Sequence, residues 1–142
     1  MAKRIESHIT MLYEIPPRAE LDNVVRATPP LRLHAGAIER WISEPGIFVA
    51  VSDPHGDLRR FRMAALGTDD RGYQAHITLL HRESVTNLFE ADEAWVALRD
   101  VRLNWDFAVN ELVVYEEIAG GWRETGRGRF GPGLGEVARA PN

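Results

Sequence analysis

The sequence predicts a single α+β domain in which mostly antiparallel strands are covered by helices. Three observations predict it. Segments of period-two and helical patterning follow one another in the order strand, helix, hairpin, helix, strand, helix, strands. The tripeptide His-Ile-Thr is written twice, in "SHITML" at 7–12 and "AHITLL" at 75–80, each time followed by two apolar residues. The chain therefore divides into two loosely similar halves, each opening on such a strand, continuing into a helix and supplying two further strands.

The elements follow in order. After the first His-Ile-Thr, a Pro pair precedes a short helical pattern with Leu21, Val24 and Val25 on one side, and a second Pro pair closes it. "LRLHAGAIERW" at 31–41 and "GIFVAVSD" at 46–53 read as a β-hairpin, the second run opened by the turn signal Glu44-Pro45-Gly46. Leu58, Phe61, Ala65 and Leu66 recur at helical spacing, with Gly67 where the helix ends. The polar stretch at 67–72 is too short to separate two domains. "YQAHITLLH" reads as a strand, "SVTNLFEADEAWVALRD" as a helix of roughly three or four turns, and "VRLNWDFAV" as an alternating strand. "ELVVYEEI" and "GWRETGRGRF", flanking the turn at 119–121, form a closing hairpin. The expected domain is 1–130, with a flexible Gly- and Pro-rich tail at 131–142.

Composition narrows the function classes. A chain of 142 residues, 44% hydrophobic and 27% charged, can bury most of its apolar surface in one core. No run of eighteen apolar residues spans a bilayer and no apolar leader follows the N-terminus, so the expected location is cytoplasmic, with no membrane partner. With no cysteine there is no thiolate nucleophile and no Cys-based zinc site. A net charge of −4 argues against duplex DNA, whose partners collect Lys and Arg, but leaves a small phosphate ligand or a nucleic-acid end open.

The repeated tripeptide carries the chemistry. Along a strand, side chains alternate between faces, so His8 and Thr10 share one face while Ile9 turns to the core, and His76, Thr78 and Ile77 do the same. Each strand then presents an imidazole and a hydroxyl about 7 Å apart at the backbone. If the halves meet about a pseudo-twofold axis, two imidazoles and two hydroxyls converge, a set suited to a phosphodiester. One neutral imidazole takes a proton from the attacking group, the other as imidazolium protonates the departing oxygen, and the hydroxyls donate to the non-bridging oxygens. Histidine, with an ordinary pKa of about 6.5, supplies both protonation states near neutrality. With five His and six Thr in the chain, a His-x-Thr arises by chance roughly 0.2 times. The bland alternative, two buried strands each with a hydrogen-bonded histidine, needs the same tripeptide to arise twice independently.

On these residues the chain resembles the two-histidine (2H) phosphoesterases, and within them the bacterial 2′-5′ RNA ligase-like proteins. The resemblance covers about residues 5–125 and rests on "SHITMLYEIP", "AHITLLH" and the closing "FAVNELVVYEEIAGGWR". It implies a bilobal fold, two antiparallel sheets flanking a central cleft with helices on the outside. It also implies metal-independent chemistry with no cofactor, on 2′,3′-cyclic phosphates, 2′-5′ linkages or related nucleotide esters. His8 and His76 become the catalytic residues, and Thr10 and Thr78 the phosphate ligands. Family members usually place a strand and a helix before the first motif, and here seven residues precede His8. The expectation is either a compact variant or replacement of the missing elements by a partner chain or the C-terminal tail, with a more open first half and room for an oligomer.

Other residues are secondary candidates. Alternation carries Arg82 onto the face of His76 and Thr78, where its fork suits a phosphate, against the alternative of a solvent-exposed arginine at a strand end. Tyr13, Trp41 and Trp122 are candidates to stack on a base, or packing residues at the core's edge. His34 and His55 lack metal-ligand spacing, so structural or exposed roles are expected, and a metal site on His8 and His76 is disfavoured by the lack of a carboxylate in either motif. "LRRFR" at 58–62 reads as a solvated helix face, and Glu116 and Glu117 alternate across a strand. The leading function is a phosphoesterase on a nucleotide or RNA-end phosphodiester. The alternatives are a hydrolase of cyclic nucleotides or ADP-ribose cyclic phosphate, and a non-catalytic phosphate- or RNA-binding module of the same fold.

Overall fold

A computed structural model describes residues 8–41, 44–70, 72–81 and 87–131. Nine elements follow in chain order: α1 (Arg18–Ala27), β1 (Leu31–Arg40), β2 (Ile47–Ser52), α2 (Asp57–Leu66), β3 (His76–Leu80), α3 (Leu88–Leu98), β4 (Arg102–Val109), β5 (Glu111–Ile118) and β6 (Gly121–Arg129). The strands form two antiparallel sheets, one of four strands in the order β3-β2-β1-β4 and one of two, β5-β6.

Local chemistry sets the helix ends. Pro17 precedes α1, and Thr28 returns its hydroxyl to the Val24 carbonyl at 2.6 Å before the Pro29-Pro30 pair stops the helix. Asp53 caps α2 from upstream, accepting from the Leu58 and Arg59 amides at 3.2 and 2.9 Å, and Gly67 closes it at φ 77°. Asn87 caps α3 by accepting from the Phe89 amide at 2.9 Å. The two-residue turn of the β5–β6 hairpin uses Gly120 at φ 84°, a conformation that costs glycine little.

All three helices pack on one face of the four-stranded sheet. Leu31, Leu33 and Val51 join Leu21 and Val25 of α1 and Leu58 and Phe61 of α2 in one buried cluster. Ala35, Ile38, Ile47 and Val49 pack against Ala94, Trp95 and Leu98 of α3 in another. Leu112 and Val114 carry the β5–β6 hairpin onto the first cluster, closed by the buried Phe130. Gly131, assigned by the sequence to the tail, donates to the carbonyls of Val25 and Thr28, and residues 132–142 lie outside the described set.

Two expectations are corrected. The first His-Ile-Thr was expected to be a strand, yet it makes an isolated antiparallel bridge, Ile9 with Ile77, before the chain turns toward α1. Two residues beyond the bridge, the Met11 carbonyl is taken by Arg62 of α2. That same arginine corrects the second expectation. "LRRFR" is not a wholly solvated face, because Arg62 is 6% exposed. Among the described residues no helix is long and apolar enough to cross a membrane.

Candidate functional site

The helix-free face of the sheet is built by alternation. With Val49 and Val51 in the core, Phe48, Ala50 and Ser52 of β2 point the other way, and the register sets Ala50 beside His76 and Phe48 beside Thr78. Ile77, packed against both clusters, confirms that His76 and Thr78 stand on this open face.

The bridge between Ile9 and Ile77 brings the first motif alongside the second. Ile9 lies against the core, so His8 and Thr10 turn to the open face. An antiparallel register carried one residue either way from the bridge would set residue 8 beside 78 and residue 10 beside 76, with the histidines on one diagonal and the threonines on the other, about 7–8 Å apart.

The two imidazoles are held differently. His76 is half-buried, its ring edge-on to Trp41 at 5.1 Å and to Phe48 at 5.5 Å between centroids, while Trp41 stacks on Phe48 at 4.2 Å. Its Nδ1 lies 3.3 Å from the Gln74 carbonyl. A carbonyl only accepts, so this contact favours the tautomer with the proton on Nδ1 and leaves Nε2 as the nitrogen able to accept. His8 is exposed.

The remaining candidates separate. Trp41, 36% exposed, stands beside His76 and can offer a flat face to a base. Tyr13 is 75% exposed, and Trp122 stands on the other sheet, opposite Glu117. Arg82 lies outside the described residues. His34 shares the open face, opposite Ser52, and pairs through Nδ1 with Asp106 Oδ1 at 2.6 Å. Arg32 is committed to Asp57 by two bonds of 2.8 and 3.0 Å, which hold that carboxyl well below its usual range. Among the described residues no three His, Asp or Glu side chains group as a metal site. A shallow depression lined by Phe89, Asp92, Glu93 and Val96 lies on α3 and contains none of the motif residues.

Two residues at the site were not anticipated. Phe48 sits in a compact apolar run that reads as core throughout, and only its pairing with Thr78 reveals that it turns to the open face. Arg62 did leave a signal: it stands four residues after Leu58 and one after Phe61, inside the apolar stripe of α2.

Among solved structures, the fold is similar to that of E. coli LigT complexed with phosphate, with a TM-score of 0.55 and 18% identity over 92% of this chain and 81% of that one. It is similar to E. coli LigT complexed with NADP+ (TM-score 0.53, 20% identity, 89% of this chain and 77% of that one). A protein solved as a phosphoesterase gives a TM-score of 0.52 at 19% identity, over 89% and 78% of the two chains. The α+β fold expected from the two-histidine phosphoesterase resemblance is thus the fold of this chain. No protein-family model and no curated protein matches the sequence.

Proposed function

We propose that this chain is a metal-independent phosphoesterase that cleaves a nucleotide or RNA-end phosphodiester with His8 and His76 as its acid–base pair. One observation supports the reading: Ile9, bridged to Ile77, packs against the core with it, which favours both His-x-Thr pairs turning to the same helix-free face. A phosphate between the diagonal histidines meets an imidazole on each side and a hydroxyl at each flank. One imidazole, neutral, takes a proton from water as its oxygen bonds to phosphorus. The other, protonated, delivers its proton to the ribose oxygen as that P–O bond breaks. A cyclic phosphate gains one water and becomes a monoester. Thr10 and Thr78 donate to the non-bridging oxygens, whose charge grows in the transition state, and the Trp41 face holds the base. The phosphate and NADP+ of the LigT complexes are in keeping with a phosphate-binding face.

The test is hydrolysis of nucleoside 2′,3′-cyclic phosphates, 2′-5′ dinucleotides, 3′,5′-cyclic nucleotides and ADP-ribose cyclic phosphate, each in excess EDTA. Turnover of at least one that survives chelation and is lost in His8→Ala and His76→Ala is the expected result. Phosphate binding with no turnover of any substrate would favour the non-catalytic module. Loss on chelation, restored by a divalent ion, would move the chemistry to a metal.

A further inference from the structure

Arg62 is a buried cation that the proposed reaction does not use. Three groups surround it. Nη1 donates to the Met11 carbonyl, Nη2 donates to Asp70 Oδ2 at 2.9 Å, and the guanidinium carbon lies 3.6 Å from the centroid of the Tyr73 ring. Its Nε has no partner among the described residues, nor has the buried Tyr73 hydroxyl.

The segments joined at this side chain lead out of the first motif and into the second. Met11 follows Thr10 directly, and Tyr73 precedes His76 by three residues. β3 is registered against β2 by four pairs, from Ile47–Leu80 to Ala50–His76, whereas the first motif has the single Ile9–Ile77 bridge. One bridge pins a point. Ile9 and the buried Met11, two residues apart, turn one side of the segment to the core. Apolar contact of this kind is non-directional and tolerates small slides and tilts. A hydrogen bond to the Met11 carbonyl, two residues beyond the bridge, restrains them.

Stability alone explains Arg62 poorly. Desolvating a guanidinium offsets most of what its ion pair returns, and apolar residues of similar volume are often as stable in its place. Its partner Asp70 has a side chain that is 49% exposed, so this carboxylate is well solvated without it.

We infer that Arg62 is a positioning residue, a clamp that holds the His8–Thr10 segment in the register that sets His8 beside Thr78 and Thr10 beside His76. The clamp's catalytic consequence rests on the function proposed above, but its geometric consequence does not. Both are read in Arg62→Met, which keeps the volume and removes the donors. Turnover of a nucleoside 2′,3′-cyclic phosphate should fall on the order of 10²-fold, the usual result of a displacement of about 1 Å. Amide hydrogen exchange should accelerate at residues 9–12 while β1 and β2 keep their protection. In a His8→Ala background Arg62→Met should cost much less than in the wild type, leaving only the share that acts through Thr10. Arg62→Lys, which can keep one of the contacts, should recover part of the turnover. Wild-type exchange at 9–12 in Arg62→Met overturns the clamp, as does an undiminished loss of turnover in the His8→Ala background. Loss of protection spread evenly over β1, β2 and α2, or failure of both variants to fold, also overturns it, since Arg62 would then support the whole core. If the wild type hydrolyses no substrate tested, the proposed function fails and the exchange data still decide the clamp.

Discussion

The two motif arms are alike in sequence and unlike in support. His76 stands on a registered strand, with its ring against Trp41 and Phe48 and its Nδ1 toward a backbone carbonyl. His8 stands exposed on a segment that, among the described residues, is backed by the Ile9–Ile77 bridge and the Arg62 bond to Met11. The difference teaches that a symmetric motif does not need symmetric scaffolding. What the proposed reaction requires is two imidazoles at a set separation, one on a registered strand and one on a tethered segment.

The sharpest way to break the comparison is to remove each imidazole in turn. His8→Ala and His76→Ala should each lower turnover on the order of 10²–10⁴-fold, the range for a positioned acid or base. The double variant should lose far less than the product of the two, because the groups act as a unit. The parent's rate should follow a bell-shaped pH profile that each single variant reduces to one limb, measured as kcat/KM against pH. Multiplicative losses in the double variant would mean that the two arms do not serve one step.

A smaller effect tests the registered arm alone. A Cβ at Gly46 would lie 2.8 Å from Trp41 Cδ1 and 3.4 Å from the Leu80 carbonyl oxygen, so Gly46→Ala must push Trp41 off Phe48 and His76. Turnover should fall about tenfold, by misplacement of the ring and not by its removal. Because the substitution acts through His76, it should lose its effect on the chemical step in a His76→Ala background and keep it in a His8→Ala background. The reverse dependence would assign Trp41 to the other arm.

The smallest effect concerns the surroundings of the Arg62 tether and appears only at high pH. Burial pushes the Tyr73 phenol up to about 12, opposed in part by Arg62 over its ring. The folded state therefore keeps its proton where the unfolded chain, with a phenol near 10, has lost it. The resulting stability is fully present below about pH 10 and is lost as pH rises through about 12. Tyr73→Phe should leave stability near neutrality within about 0.5 kcal/mol and remove this alkaline limb. Denaturant midpoints compared from pH 7 to 12 give the measurement, and an unchanged limb would place its cause elsewhere.

Much of the fold was legible because its signals are local. The Pro pairs around α1, Gly67 at the end of α2 and Gly120 in the last hairpin act on the backbone within a few residues of themselves. The alternation of Leu31, Leu33 and Ala35 against Arg32 and His34 marks a half-covered strand wherever that strand is placed. What misled was partnership. "LRRFR" was read by its charge, and Arg62 is buried because the Met11 carbonyl and Asp70, eight residues away and more, stand ready to receive it. The first His-Ile-Thr looks like the second, yet it makes an isolated bridge, and the Met11 carbonyl beyond it is engaged by a helix.

The sequence by itself determined which side chains each motif offers and that, within a motif, the imidazole and the hydroxyl share a face. It also determined where the helices begin and end, since capping and alternation are exchanges between near neighbours along the chain. Only the tertiary structure decided that Ile9 pairs with Ile77, that β1 and β2 of the first half lie between β3 and β4 of the second, and that Phe48 turns toward Thr78. Register between distant segments depends on how whole faces bury against one another, and a one-residue slip reverses every side chain while leaving the local pattern unchanged.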